Sequence, residues 1–283
     1  MRVRAFAKIN LSLRVLGRHR DGFHELRTIF QSIALHDTLT IRRRRGPFHL
    51  TCDDPSCPDD DANLIWRAAE RVWRAAGRGG GPRDVSVELA KRIPMQAGLG
   101  GGSSDAAAAL RAFGKMWCVD TARVRAIAVE LGADVPYFLE GGTVLGLERG
   151  DLLFSLVDRR PAWVVLVLPD FGVSTKEAFA WFDRDEDTRG RKNVRATKDS
   201  TALVNDLEAP VAARHPQIRR IVNALGRAGA SHAAMTGSGS TVFGLFEKRR
   251  AADRAARALA AQWRRSVVTR TLNRPTYQRL AGM

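Results

Sequence analysis

Four glycines and two serines lie close together in residues 94–105, which read P-M-Q-A-G-L-G-G-G-S-S-D. Glycine tolerates positive φ and lets the backbone approach a ligand closely. We expect Ser103 or Ser104 to cap a helix that begins here, so that its first N–H groups face the loop at the positive end of the helix dipole. Such a loop binds anions, most simply a phosphate. A structural glycine-rich turn is the alternative.

Three better-known loops do not fit this stretch. A Walker A loop requires a lysine that is absent, and a dinucleotide fingerprint requires a third glycine where Ser103 stands. Residues 170–172 spell D-F-G, but the other protein-kinase motifs H-R-D and A-P-E are missing from the sequence. We interpret D-F-G here as a turn after a strand.

Three further segments carry polar residues at positions where they could form part of a site. Residues 3–15 alternate apolar and polar side chains as a strand does, which places Lys8 and Asn10 on one polar face, about 7 Å apart. Asp134 lies two residues before a proline, where an aspartate can cap a short helix or act chemically. Residues 236–241 offer hydroxyls and backbone N–H groups. The simpler alternatives are an exposed strand face for the first segment and an ordinary hairpin turn for the last.

Three ordered stretches together resemble the GHMP kinases, which phosphorylate small-molecule hydroxyls with ATP. They are A-K-I-N-L at residues 7–11, the glycine loop, and M-T-G-S-G-S-T at residues 235–241. The resemblance covers nearly the whole chain. It implies an α+β fold of two domains: a ribosomal S5 domain 2-like ATP-binding domain over residues 1–157 and a ferredoxin-like domain over residues 158–283.

The resemblance also implies roles for individual residues. Asp134 becomes the catalytic base, Lys8 the cation beside it, and Asn10 a residue that orients the carboxylate or the phosphate. Mg²⁺ accompanies ATP, with Ser103 or Ser104 as its protein contact. The residues implied to bind ATP are Asn63, which is also a natural helix N-cap, Pro94, Gly98, Leu99, Gly100, Gly101, Gly102, Ser103 and Ser104. The third motif, Gly237, Ser238 and Gly239, is expected to face the phosphates from the second domain.

Other stretches resemble the family members that take a cytidine-bearing acceptor: residues 22–24, 132–136, 173–175 and 205–208. By this resemblance Phe23 stacks on the base, His24 bonds to it, and Thr175 and Phe179 complete the acceptor pocket. The family commonly has tyrosine where this chain has Phe23. Two alternatives stay open: a GHMP kinase of homoserine or mevalonate type, and a basic protein that binds nucleic acid without catalysis.

Composition is typical of a globular protein: the chain has 283 residues, 45% of them hydrophobic. The net charge of +16 is spread along the chain, apart from the run at residues 42–45, so we interpret it as a solvated surface. The three cysteines suit a reducing compartment, and His49, Cys52 and Cys57 are too few for a structural zinc site. We expect a cytoplasmic monomer or weak homodimer whose partner is a small molecule, with no nucleic acid beyond the nucleotide and no membrane.

The periodicity predicts the elements that must position these residues. Strands are expected at residues 3–15, in one or two pieces at 30–41, and at 85–91, 163–168, 233–246 (interrupted by the third motif) and 266–271. Helices are expected after Asn63, after the glycine loop, and at residues 121–131, 175–182, 203–213, 218–227 and 251–263. The charged residues 183–200 are predicted to form a mobile surface loop.

Overall fold

The computed structural model describes residues 1–19, 21–189, 203–260, 262–263 and 265–282, which form two antiparallel-rich sheets with helices packed on them. The first half of the chain contains β1 (Arg2–Arg18), β2 (His24–Pro47), β3 (His49–Cys52), α1 (Leu64–Ala75), β4 (Arg83–Ala90), α2 (Gly101–Trp117), α3 (Thr121–Leu131), α4 (Tyr137–Glu140), β5 (Thr143–Glu148) and β6 (Leu152–Ser155). The second half contains β7 (Trp163–Val167), α5 (Thr175–Arg189), α6 (Glu208–Arg214), α7 (Gln217–Arg227), β8 (His232–Met235), β9 (Val242–Phe246), α8 (Arg249–Ala260), β10 (Ser266–Arg270) and α9 (Arg274–Ala281).

The first sheet has six strands in the order β3-β4-β2-β5-β6, with β1 paired to β2. The long β2 is the centre of this sheet, because it pairs antiparallel with β1, β4 and β5 along different parts of its length. Helices α1, α2 and α3 cover one face through a core of alanines and aromatic rings, which includes Phe113 and Trp117. This small-residue face lets α2 lie close to β1, so the glycine loop at its start is next to Lys8.

The second sheet has the antiparallel order β10-β7-β9-β8. Helices connect β7 to β8 and β9 to β10, so the elements follow a βαββαβ order with the strands arranged as in a ferredoxin-like layer. The predicted α+β class and the predicted ferredoxin-like second half are therefore confirmed. The first sheet ends at Ser155 and the second begins at Trp163.

Strand β1 is shared between the two halves. Its apolar residues Ala7, Ile9 and Leu11 pack with Leu166 and Phe243 of the second sheet in one buried cluster. Its polar residues are also covered: Lys8 is 4% exposed and Asn10 is 2% exposed. The alternative of an exposed polar strand face is therefore wrong, because the second half and the glycine loop pack over it.

Several element boundaries differ from the predicted ones. Residues 30–41 belong to a single strand that extends at both ends, and the helix predicted from residue 203 begins only at Glu208. The loop predicted at residues 183–200 is helical up to Arg189; the remainder lies outside the described residues. Helix α9 was not predicted, although Asn273 caps it by accepting a hydrogen bond from Thr276 N at 3.0 Å. Within the described ranges, no helix has the length and apolar character needed to cross a membrane.

Candidate active site

A cleft of about 1350 Å³ lies where the two halves meet. Most of the predicted site residues line it: Lys8, Asn10, Phe23, His24, Asn63, Pro94, Gly98, Gly100, Gly101, Gly102, Ser103, Asp134, Thr175, Phe179, Gly237 and Ser238. Three predicted site residues, Leu99, Ser104 and Gly239, are not on its wall. The structure thus brings together residues that are up to 230 positions apart in the sequence (Lys8 to Ser238).

The glycine loop has the backbone conformation that requires glycine. Gly98 and Gly100 have φ of 73° and 71°. A Cβ on Gly98 would lie 2.2 Å from the Thr236 carbonyl oxygen, and one on Gly100 would lie 2.7 Å from the ring of Phe138. The N–H groups of Gly101, Gly102 and Ser103, in the first turn of α2, have no acceptor among the residues that the structure describes. This helix start can therefore receive an anion.

The predicted serine cap of α2 is wrong. The helix begins one residue after Gly100, which is its N-cap and has a left-handed conformation without a side-chain hydrogen bond. The Ser104 hydroxyl is buried and donates to the Phe6 carbonyl at 2.7 Å, so it ties the helix to β1 instead of facing the cleft. A serine within the first turn is already helical, and a cap must precede the helix. Of the two serines at the start of α2, only Ser103 lines the cleft.

Lys8, Asn10 and Asp134 form a compact polar group beside the glycine loop. The Lys8 ammonium donates to Asn10 Oδ1 at 2.7 Å and lies 3.6 Å from Asp134 Oδ2. Asn10 Nδ2 donates in turn to the Thr28 hydroxyl at 2.7 Å, which holds the amide in one orientation. The lysine is 5% exposed at its side chain, whereas the aspartate is 34% exposed and faces the cleft. Asp134 caps no helix: α4 begins at Tyr137, after the N-cap residue Pro136.

The third motif closes over this group from the second half. The Thr236 hydroxyl accepts from Asn10 N at 3.0 Å and lies 3.3 Å from the Gly98 carbonyl oxygen. A Cβ on Gly237 would lie 3.3 Å from Lys8 Nζ, so glycine permits the close approach. One threonine thus connects all three motifs, which explains why residues 236–241 are more than a hairpin turn.

A buried ion cluster next to the glycine loop was not predicted. Lys91 Nζ donates to Asp37 at 2.6 Å and to Asp105 at 2.8 Å, and all three side chains are at most 5% exposed. Burial raises the pKa of Asp105 well above its ordinary value; Lys91 opposes this rise and the Asp37 carboxylate adds to it. Burial lowers the pKa of Lys91, but the two carboxylates outweigh it and raise that pKa. The cluster joins β2, the end of β4 and α2, and so fixes the loop between them.

Asn63 lies at the other end of the loop. Its Oδ1 accepts from Ile65 N at 2.9 Å and caps α1, as predicted, while its Nδ2 donates to the Pro58 carbonyl at 2.6 Å. The Cys57 thiol is close enough to accept from the same Nδ2 at 3.5 Å, and burial raises the pKa of Cys57 to about 12. Among the described residues, no group of three potential metal ligands lies together.

Aromatic residues from both halves form the far end of the cleft. His24, at the start of β2, stacks on Phe179 of α5 with ring centroids 4.6 Å apart. Phe23 is 54% exposed and is covered by the Arg149 guanidinium, which lies 3.9 Å from its ring centroid. Thr175 Oγ1 lies 3.2 Å from Ser238 Oγ, which connects this end to the third motif.

Asp183 is a cleft residue that sequence reasoning missed. Its Oδ1 lies 2.7 Å from His24 Nε2, and its Oδ2 lies 3.5 Å from the Arg18 guanidinium. The residue stands four positions after Phe179 on α5, so both side chains lie on one face of that helix. The four-residue spacing from Phe179 could have identified Asp183 as a neighbour on the same helix face, but the helix was predicted to end at residue 182.

Comparisons with known proteins agree with this geometry. The model of the GHMP kinase N-terminal domain matches residues 63–142, and that of the GHMP kinase C-terminal family matches residues 179–265. The chain belongs to the GHMP kinases. Members of this family are ATP-dependent small-molecule kinases, and so is this chain. The alternative of a basic, non-enzymatic nucleic-acid-binding protein is therefore set aside.

Curated GHMP kinases resemble the chain over most of their length. It is 42% identical to a 4-diphosphocytidyl-2-C-methyl-D-erythritol kinase of Pelotomaculum thermopropionicum, over 95% of this chain and 97% of that one. It is also 42% identical to a kinase of the same name from Solibacter usitatus, over 98% of this chain and 92% of that one.

Solved structures give the same result. A crystal structure of 4-(cytidine 5'-diphospho)-2C-methyl-D-erythritol kinase matches with a TM-score of 0.80 and 34% identity, over 96% of this chain and 99% of the other. A mevalonate kinase from L. major matches with a TM-score of 0.72 at 14% identity, over 96% of each chain, which shows a shared fold.

Proposed function

We propose that this GHMP kinase transfers the γ-phosphate of ATP to the 2-hydroxyl of 4-diphosphocytidyl-2-C-methyl-D-erythritol, a step in non-mevalonate isoprenoid precursor synthesis. The observation that carries the proposal is one cleft that holds both the Lys8–Asp134 pair, 3.6 Å apart, and an aromatic pocket around His24 and Phe179. The first centre suits phosphoryl transfer and the second suits a flat base. Relatives named for this reaction support the same acceptor.

In the proposed mechanism Asp134 accepts the proton of the attacking hydroxyl. Phosphoryl transfer requires mainly alignment and charge stabilisation, and little covalent help. Lys8 stabilises the charge on the transferred group, because its ammonium is buried and therefore only weakly screened by water. Asn10 holds the Lys8 ammonium by accepting a hydrogen bond from it at 2.7 Å. The Thr28 hydroxyl, in turn, fixes the amide of Asn10.

The triphosphate is proposed to lie on the free N–H groups at the start of α2, with the adenine near Asn63. Pro94 and the backbone around Leu99 shape this end of the cleft, although the Leu99 side chain points into the core. Hard oxygen donors suit Mg²⁺, and Ser103 supplies one on the cleft wall whereas Ser104 is engaged with Phe6. When bound with ATP, Mg²⁺ would neutralise phosphate charge, with Ser103 as its protein contact.

The acceptor pocket is proposed to read cytosine through His24. A carboxylate accepts hydrogen bonds only, so Asp183 favours the imidazole tautomer whose proton lies on Nε2. Nδ1 then presents a lone pair, which matches the 4-amino group of cytosine and not the 4-oxo group of uracil. Phe179 and Phe23 offer ring faces for stacking, and Thr175 borders the pocket.

We also propose the division into domains at residues 157 and 158, supported by the change from the first sheet to the second between Ser155 and Trp163. We propose that a monomer or weak homodimer is sufficient for activity, because residues from both halves of one chain, such as Lys8 and Ser238, line the same cleft. The three free cysteines support a reducing, cytoplasmic setting.

A panel of acceptors tests the proposal. The purified chain should consume ATP with the cytidyl acceptor and release ADP in equal amount. Base-free methylerythritol phosphate, the uridyl analogue, homoserine and mevalonate should be used much more slowly. Preference for homoserine or mevalonate would replace the proposed acceptor and leave the family assignment in place.

A further inference from the structure

The stretch Asn205-Asp206-Leu207-Glu208 has no role in the site described so far. It lies directly before and at the start of α6, and Asn205 is 6% exposed. Asn205 also pairs with Leu13 of β1, the strand that carries Lys8. A buried amide is normally hydrogen-bonded, so the hydrogen-bond partners of Asn205 indicate what this residue does.

The Asn205 amide holds two carbonyls of the third motif. Its Nδ2 donates to the carbonyl oxygens of Met235 and Gly237, each at 2.8 Å. Its own Oδ1 accepts from Leu207 N at 3.0 Å, which prevents the amide from turning round. Glu208 adds a third bond, because its Oε2 accepts from Met235 N at 2.8 Å. The third motif is thus held by Asn205 and Glu208, neither of which is on the cleft wall.

The consequence appears on the cleft side. With the Gly237 carbonyl turned toward Asn205, the N–H groups of Gly237 and Ser238 have no acceptor in the described part of the chain, and both residues line the cleft. Gly237 has φ of 57°, the left-handed conformation in which successive amides form an anion-binding nest. This nest adjoins Lys8, since a Cβ on Gly237 would lie 3.3 Å from Lys8 Nζ.

We infer that Asn205 is a positioning residue: it turns the carbonyls of the third motif away from the cleft so that the amides of Gly237 and Ser238 receive the terminal phosphate of the nucleotide. The inference rests on the proposed placement of the triphosphate, and not on the identity of the acceptor. Without the two bonds, the Gly237 carbonyl is free to rotate toward the phosphate and repel it.

Asp206 offers a matched control. It is the next residue, and it accepts hydrogen bonds from Val15 N at 3.0 Å and from the Arg14 guanidinium at 3.2 Å. These contacts anchor the same segment to β1 but not to the third motif. Asp206→Asn keeps an oxygen acceptor and should therefore change stability without changing phosphate recognition.

The experiment compares the binding of ADP and of a non-hydrolysable ATP analogue to the full chain by calorimetry, with no acceptor present. Asn205→Asp replaces the donor with a carboxylate that faces two carbonyls. It should weaken the binding of the ATP analogue by about tenfold more than the binding of ADP, as expected when a buried hydrogen bond is lost at the site. Asp206→Asn should leave the ratio of the two affinities as it is in the wild type.

Equal weakening of both nucleotides by Asn205→Asp, or unchanged binding of both, would overturn the inference and leave Asn205 a structural residue. If the buried carboxylate prevents folding, Asn205→Ala serves the same test, because it removes both donated bonds and introduces no charge. The two proposals can fail separately. If the wild-type protein does not phosphorylate the cytidyl acceptor, but Asn205→Asp still weakens binding of the ATP analogue more than binding of ADP, the proposed acceptor is refuted and the role of Asn205 is supported.

Discussion

The phosphate end and the acceptor end of the cleft are built in different ways. At the phosphate end, backbone N–H groups of the glycine loop and of the third motif line the cleft, and buried side chains such as Lys91 and Asn205 hold these segments in place. At the acceptor end, side chains meet across the two halves, and Phe23 is half exposed. A backbone site depends on glycines that allow close approach, whereas a side-chain site depends on a few pairwise contacts. The phosphate end should therefore be intolerant of substitution and the acceptor end adjustable.

The largest effect is expected from Gly100→Val. The left-handed φ of 71° and the 2.7 Å approach of a Cβ to the Phe138 ring leave no room for a branched side chain. Binding of ATP, measured by calorimetry, should be lost. Gly102→Ala is the matched control, because its Cβ would meet nothing nearer than 4.0 Å, and it should fold normally. Normal ATP affinity in a folded Gly100→Val protein would place the phosphates elsewhere.

Lys8→Met should come next, with a fall in kcat of about 10²–10³-fold, as for loss of a group that stabilises transition-state charge. The affinity for ATP should change much less, because Lys8 acts mainly on the transferred phosphate. Steady-state kinetics at varied ATP separate the two parameters. A rise in the KM for ATP with unchanged kcat would make Lys8 a simple phosphate ligand.

At the acceptor end, His24→Ala and Asp183→Ala should each lower the preference for cytidyl over uridyl acceptor by about tenfold, the cost of an unpaired base edge. ATP affinity should not change. Asp185→Asn, two residues along α5 and paired with Arg214, is the control and should keep the preference. If Asp183→Ala discriminates between the bases as well as the wild type does, the proposed orientation of His24 is wrong.

The smallest effect concerns Asp105. Because burial raises its pKa in the folded state, the folded protein binds a proton more tightly than the unfolded chain, and stability is lost as pH rises toward that raised pKa. Asp105→Asn removes this loss. The melting temperature of Asp105→Asn relative to wild type should therefore increase as the pH rises above the ordinary pKa of an aspartate, by on the order of 2 °C. A difference that stays constant or shrinks with rising pH would show that Asp105 is ionised in the fold.

The contrast between the two ends also explains what the sequence could predict. The glycine loop, β1 and α3 were predicted because local spacing encodes them: clustered glycines, period-two alternation, and a capped amphipathic run. The two-domain kinase fold followed from the order of three motifs. The serine cap failed because residues within the first turn of α2 resemble cap residues in composition, and only the backbone shows that the helix starts at Gly101.

Polar contacts between residues far apart in the sequence could not be predicted from local residue patterns. Lys91 meets Asp37 across 54 positions, and Asn205 meets Gly237 across 32. In the sequence each is an ordinary polar residue, and only the packing of β2, β4 and α2, or of α6 against the third motif, gives it a partner. The same holds for Asp183, whose partner His24 lies in the other half of the chain.

The central claim is that the Lys8–Asp134 pair performs phosphoryl transfer in this cleft, and Asp134→Asn tests it most directly. Asparagine keeps the shape of the side chain and removes the base. We expect a folded protein that binds ATP and acceptor normally, with transfer slowed by about 10²–10⁴-fold, the range for loss of a general base. Single-turnover transfer of labelled phosphate to the cytidyl acceptor measures this step. Near-normal transfer by the variant would contradict the account.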